Sequence, residues 1–303
     1  MNQKIKNELF EFGGKQSKVS LMKPSDFNEI NQWCINEGWN LGLDDSVTFY
    51  KIDPKGHYLL KNDEAIASLS LLKHSATFFT LGPFIVNKKY RHQGAGEALW
   101  KFAMDRMSEQ HPDALIVLYA VSAQVNRYKK SGFMPIVENQ RWIINSKATF
   151  QSSPSSNCRP LTAELIRAAC LYDQAHYFTS RELIFTEILR KPEANGLVFV
   201  DDNTIKGYGI IRRCIRGFRI GALVADRRDI AQQLISGLLN FCNQEPVFID
   251  VPDCNPQGTA CMNLFNAVRK PQEDTMTMIK GSPLSNPIKK WEKHYGLFSL
   301  EIG

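Results

Sequence analysis

At 303 residues the chain is too long for one small core and suits two domains of about 150 residues each. With 43% hydrophobic and 22% charged residues it has the apolar content of a packed globular protein, which excludes disorder as the organising state. The formal net charge of +6 is compatible with a polyanionic small ligand, an anionic surface or nucleic acid, and does not choose among them.

In chain order, Val19 to Met22 reads as a strand, and a helix starts behind Pro24 and Ser25, with Ile30, Trp33 and Cys34 on its apolar face. Residues 38–56 read as irregular. Tyr58 to Leu60, the turn Asn62-Asp63 and Ala65 to Leu72 form an antiparallel hairpin, followed by a strand at Phe78 to Val86. Glu97 to Met107 is predicted as a helix with Leu99, Phe102, Ala103 and Met107 inward. Ala114 to Val121 is an unbroken apolar run, the pattern of a strand covered on both faces, and is far short of the ~20 residues of a membrane span. A short helix at Gln124 to Lys130 and strands at Phe133 to Val137 and Arg141 to Ile144 close the first half.

Residues 148–158 lie in a serine-rich stretch without periodicity and are assigned as a linker between a first domain, 1–147, and a second, 159–303. The second half repeats the pattern: a helix at Ala163 to Ala175, strands at Gly196 to Val200, Gly207 to Cys214 and Phe218 to Val224, and a helix at Asp229 to Phe241. A strand at Val247 to Val251, a helix at Thr259 to Val268 and a strand at Thr275 to Ile279 complete it. The fold class is therefore α/β (α+β), two similar units in tandem, each a mixed, mostly antiparallel sheet flanked by helices.

Seven cysteines, an odd number with no C-x-x-C pair, read as reduced thiols rather than a disulfide framework, and six isolated histidines give no metal-ligand spacing. No metal is expected, and the protein is expected to be cytoplasmic, since the first residues carry no long apolar segment.

The informative segment is FFTLGPFIVNKKYRHQGAGEALWKF, in which an apolar strand runs into Lys88, Lys89 and Arg91, then two glycines, then a helix. Gly94 and Gly96 let a phosphate approach the main chain, and the amides of Gln93 to Glu97 stand unpaired at a helix N-terminus, where the dipole adds about half a positive charge. There is neither a Rossmann G-x-G-x-x-G nor a P-loop.

Arg91-x-x-Gly94-x-Gly96 between strand and helix resembles the acetyl-CoA motif of the GNAT acetyltransferase superfamily, and Asn126-Arg127-Tyr128 ahead of Gly132-Phe133 resembles its second signature. Glu37 to Asn40, Phe49-Tyr50 and Asp53-Pro54 look like a bacterial subfamily in which a GNAT domain precedes a second, divergent one. The resemblance implies acetyl-CoA as cosubstrate, its pantetheine along Phe84, Ile85 and Val86 and its pyrophosphate at Arg91, His92, Gln93, Gly94, Ala95, Gly96 and Glu97, with Asn126 nearby. It implies Tyr128 as general acid for the departing thiolate. Where the second half would need its glycine loop it has Asp226-Arg227-Arg228-Asp229, so that domain is expected to lack a working CoA site.

Trp39, Phe49 and Tyr50 are candidates to line a pocket for a small-molecule amine acceptor, and Glu37, Asp44 and Asp45 are candidates for its base. A non-catalytic acyl-CoA-binding sensor is the competing reading. Arg212, Arg213, Arg216, Arg219, Arg227 and Arg228 crowd one predicted hairpin; a solvated face or a rim for an anionic ligand is favoured over a nucleic-acid surface. Nothing in the sequence fixes the oligomeric state.

Overall fold

The structure, a computed structural model, describes residues 9–145, 156–177, 179–281 and 290–301. The first half contributes strands β1 (Leu9–Phe12), β2 (Lys15–Leu21), β3 (His57–Lys61), β4 (Ala65–Lys73), β5 (Phe78–Val86), β6 (Leu115–Val121) and β7 (Met134–Ile144). Its helices are α1 (Phe27–Asn36), α2 (Asp45–Ile52), α3 (Ala95–Gln110) and α4 (Val125–Lys130). The second half adds β8 (Cys158–Pro160), β9 (Ala194–Asp201), β10 (Thr204–Arg213), β11 (Phe218–Ala225), β12 (Val247–Pro252), β13 (Val268–Arg269), β14 (Thr275–Lys280) and β15 (His294–Gly296). Its helices are α5 (Ala163–Gln174), α6 (Glu182–Leu189), α7 (Arg228–Leu239) and α8 (Pro256–Leu264).

Each half is an antiparallel meander ending in one parallel pair reached through a helix: β5–α3–β6 in the first, β11–α7–β12 in the second. Such a crossover requires a helix packed on the sheet, and both helices are amphipathic enough to supply it. Helix α3 buries Leu99, Phe102, Ala103 and Met107, the predicted inward stripe, against Leu69, Leu81 and Leu118. Helix α7 buries Ile230, Leu234, Ile235 and Leu238 in the second half's core. Each of these side chains other than Ala103 contributes about 1.5–3 kcal/mol of transfer free energy.

The mixed, mostly antiparallel tandem architecture is as the sequence predicts, but the two sheets are continuous. Strand β14, far along the second half, lies between β6 and β7 of the first, antiparallel to both, and β7 pairs on its other edge with β12. The sheet therefore does not respect a boundary near residues 148–158; residues 148–155 of that predicted linker lie outside the described residues, and Cys158 already opens β8.

Buried ion pairs stitch the junction. Arg141 on β7 makes a bidentate pair with Asp250 on β12, at 2.6 and 3.0 Å, and Arg212 on β10 makes one with Asp45 on α2, at 2.9 and 2.8 Å. Burial pushes the Asp250 carboxyl up, yet the guanidinium groups of Arg141 and Arg219 outweigh it and hold Asp250 below the ordinary carboxylate range. Phe49 on α2 packs with Phe185 and Ile188 of α6, so the cores of the halves also merge.

Three local expectations change. The stretch read as irregular contains α2, whose buried Thr48 and Phe49 are held by packing that outweighs the weak helix propensity of a Val-Thr-Phe-Tyr run. The two strands predicted around residues 133–144 are one, β7. The arginine-rich hairpin is not a free basic face: Arg212 and Arg219 are buried, and Arg213 pairs with Glu245 and Glu193.

Candidate active site

The parallel pairing of β5 with β6 runs only from Phe78–Leu115 to Leu81–Leu118. Beyond it β5 bends toward β4, where its register shifts between Leu69 and Leu71, while β6 stays paired to β14. The result is a V-shaped opening whose one wall is Phe84 to Val86, with main-chain groups on that edge free of any strand partner. Arg91 caps the edge, donating from Nε to the Val86 carbonyl at 3.1 Å and from Nη2 to Glu37 at 2.9 Å. That hydrogen bond holds the Glu37 carboxyl below its usual range.

A cavity of about 610 Å3 fills the opening. Phe84, Ile85, Val86, Arg91, His92, Gly94, Ala95, Gly96 and Glu97 line it on one side and Gln124, Arg127 and Tyr128 on the other. Gly94 stands at the N-cap of α3 with φ of 84°, in the left-handed region, and no side chain caps the helix, so its first amides remain available to an anion. At Gly96 a Cβ would lie 3.0 Å from Val86 Cγ2 and 3.6 Å from Arg127 Nη2, so hydrogen at this position is what keeps the groove open.

A second cavity, about 230 Å3, adjoins the first and shares Glu37, Trp39, Phe84, Val121, Gln124 and Tyr128 with it. Its deeper wall is apolar at Leu81, Pro83, Leu118 and Leu300 and polar at Tyr119, Arg141, Arg219, Glu273 and Glu301, so both halves build it. Tyr128 stands between the cavities, its ring 5.3 Å from that of Trp100 and 6.1 Å from that of Phe133. Burial pushes its hydroxyl up to about 12, only slightly opposed by Arg127, so it is protonated at neutral pH, the state a proton donor requires.

The structure thus gathers most of the sequence-predicted residues on one opening. Two of the residues expected around the cofactor do not reach it: Gln93 turns back to donate to the Lys89 carbonyl at 2.8 Å, and Asn126 is exposed, with Arg127 lining the cavity instead. Of the acceptor candidates only Trp39 lines the smaller cavity; Phe49 is buried in the junction core, and Tyr50 packs edge-on to Phe27. Of the candidate bases Glu37 borders both cavities, Asp45 is consumed by Arg212, and Asp44 faces Lys191 elsewhere. Tyr119, Arg141, Glu273 and Glu301 were not singled out as site residues from sequence, because the pairing of β14 with β6 and the path of the last described residues bring them together, and Arg219, named there only within the arginine-rich hairpin, joins them.

The second half has the corresponding fork, since β11 pairs with β12 only over Phe218 to Ile220. There β15 fills the gap: Leu223 pairs with Gly296 and Val224 with His294, and Asn255 Nδ2 donates to the His294 carbonyl at 2.8 Å. The following residues press on Gly221, where a Cβ would sit 2.3 Å from the Leu297 carbonyl oxygen.

A forked parallel strand pair, an uncapped helix N-terminus at its mouth and a protonated hydroxyl across the gap define an acyltransferase that uses acyl-CoA. The chain belongs to the GNAT superfamily: models described as "Acetyltransferase (GNAT) domain" match residues 50–142 and 169–296, which places two such domains in tandem. It is similar to the Holothin acyltransferase of Pseudoalteromonas sp. (strain SANK 73390), 27% identical over 93% of this chain and 94% of that protein. Among solved structures, a protein from Pyrococcus horikoshii described as a candidate acetyltransferase matches over 100% of both chains with a TM-score of 0.79 and 19% identity. A tandem GNAT protein from the clavulanic acid biosynthesis pathway matches over 87% of this chain and 97% of its own, with a TM-score of 0.59 and 12% identity. Among the described residues no helix is long and apolar enough to cross a membrane.

Proposed function

We propose that the chain is an N-acetyltransferase that moves an acetyl group from acetyl-CoA to a primary amine of a small molecule, by direct attack with both substrates bound. The observation that carries this reading is the position of Tyr128, which belongs at once to the long groove under α3 and to the smaller cavity beside it. Two substrates bound in adjoining cavities would meet at that hydroxyl, and holding them in register supplies much of the rate acceleration.

The groove would take the pyrophosphate at the amides of Gly94 to Glu97 and the pantetheine against Phe84 to Val86, whose unpaired edge offers hydrogen bonds to an extended amide chain. An amide on that edge would polarise the thioester carbonyl. Tyr128 would protonate the sulfur as it leaves. The 230 Å3 cavity suits a small acceptor rather than a polypeptide segment, and the relative named for holothin supports a small-molecule substrate. The filled fork of the second half supports a single cofactor site per chain, with the second domain acting as a wall of the acceptor cavity.

Calorimetry with acetyl-CoA tests the first part: one site per chain is expected, and two would refute the reading of the second domain. A panel of small primary amines, followed by release of free CoA thiol, tests the second; binding of acetyl-CoA with no turnover on any amine would favour the sensor reading.

A further inference from the structure

The last described residues run from the second half into the first half's cavity. After β15, the Leu297 amide donates to the Asp250 carbonyl at 2.9 Å, the Phe298 carbonyl accepts from Arg212 at 3.1 Å, and Phe298 is buried between Phe185 and the two guanidinium groups of Arg181 and Arg212. Glu301 then arrives with its carbonyl oxygen 2.7 Å from where a Cβ of Gly82 would be. Gly82 is the first residue of β5 beyond its pairing with β6, so Glu301 sits at the apex of the fork.

Its carboxylate is fixed on one side only. Oε2 accepts from Ser299 Oγ and lies 3.4 Å from Arg219 Nη1, while Oε1 has no hydrogen-bond partner among the described residues. Arg219 is itself shared with Asp250, and the buried thiols of Cys34 and Cys214 also feel the carboxylate's charge. The two other carboxylates of the cavity are committed elsewhere: Glu37 to Arg91 and Lys88 at the mouth, Glu273 to Arg141 and Arg216 at the rim. The side chain of Glu301 is 10% exposed.

We infer that Glu301 is the residue that binds the acceptor as its ammonium ion and removes the proton that blocks attack. This rests on the N-acetyltransferase reading and names its base. Oε1 of Glu301 takes one proton from R–NH3+, leaving R–NH2, and passes it to solvent. The amine nitrogen forms the C–N bond to the acetyl carbon; the C–S bond breaks as Tyr128 protonates the sulfur. The nitrogen's second proton restores the Tyr128 hydroxyl through solvent, so the balance is one amide, one free thiol and one proton released. An acceptor that is already neutral at pH 7 has no need of the first step, which gives the inference a signature that loss of packing cannot imitate.

The test compares the wild type with Glu301→Gln and Glu301→Asp, using two amines: phenethylamine, which titrates near the lysine value of about 10.4, and para-toluidine, an aniline that is neutral at pH 7. Binding of each amine in the presence of CoA is measured by calorimetry and turnover by thiol release. Glu301→Gln is expected to weaken phenethylamine binding at least tenfold and lower its kcat/KM at least a hundredfold. Turnover of the neutral aniline should stay within threefold, and Glu301→Asp should recover part of the loss. Equal losses on both amines, unchanged behaviour on phenethylamine, or no binding of it to the wild type would each overturn the inference. Binding that depends on Glu301 without turnover in the wild type would sustain the ammonium site and remove the acetyltransferase reading instead.

Discussion

Replacing Tyr128 by phenylalanine separates the chemistry of the fork from its architecture. The ring keeps its contacts with Trp100 and Phe133, and its hydroxyl makes no hydrogen bond among the described residues, so stability should stay within about 0.5 kcal/mol of the wild type. If the hydroxyl protonates the leaving sulfur, its loss removes a general-acid contribution of about 10²–10⁴ in kcat, which is roughly 3–5 kcal/mol of barrier. Acetyl-CoA affinity, measured by calorimetry, should change less than twofold, and thiol release at saturating substrates gives kcat. The pH profile supplies a second check. Because burial holds the hydroxyl near 12, its acid form persists well past pH 9, and any alkaline limb below that must belong to another group. A Phe variant retaining a third or more of kcat would refute the assignment; an alkaline limb near pH 10 that vanishes with the hydroxyl would keep the acid role and overturn only the effect of burial on it.

Three further outcomes follow from the same geometry. Gly96→Ala should fold but lose at least tenfold in acetyl-CoA affinity by calorimetry, because its Cβ meets Val86 Cγ2 at 3.0 Å across the groove. Asp250→Asn leaves the buried Arg141 and Arg219 short of a counter-charge and should lower stability by about 3–5 kcal/mol in a denaturant titration. Since the folded Asp250 carboxyl lies below its ordinary value, its contribution is complete above about pH 4 and is lost as pH falls through the folded value. His57, His74 and His294 are pushed down to about 4 by burial, so each binds its proton more readily in the unfolded chain. Unfolding free energy should therefore be steady above about pH 6.5 and fall below it by up to about 1.4 kcal/mol per pH unit for each histidine, a slope that thermal melts in a pH series would reveal.

The groove proposed for the cofactor was legible because it is local. Arg91, Gly94 and Gly96 lead into α3 and Tyr128 lies on α4, with only β6, among the longer elements, between the two helices, and the helical stripe of α3 fixes which way the glycine turn faces. The smaller cavity, proposed for the acceptor, was not legible, because its walls come from residues remote in sequence. Nothing in a period-2 pattern at Thr275 to Ile279 says that the strand belongs between β6 and β7 rather than beside β12. Phe49 and Tyr50 illustrate the opposite error: aromatic residues next to a site by sequence were turned away from it by α2, which the contact with α6 stabilises. Asp45 and Arg212 read as a loose acid and a basic patch until folding places each as the other's counter-charge.

The insertion of β14 between β6 and β7 also sets a timetable for biosynthesis. A nascent chain that has emerged through residue 144 can form β5, α3 and β6, but the slot beside β6 stays vacant until Thr275–Lys280 has left the ribosome. At about 5–20 residues per second that interval is on the order of ten seconds, during which β6 presents an unpaired edge. The fork can open into its finished shape only once Thr275–Lys280 is in place, so a protein shortened before that strand would lack the wall it gives the smaller cavity and the edge cover together.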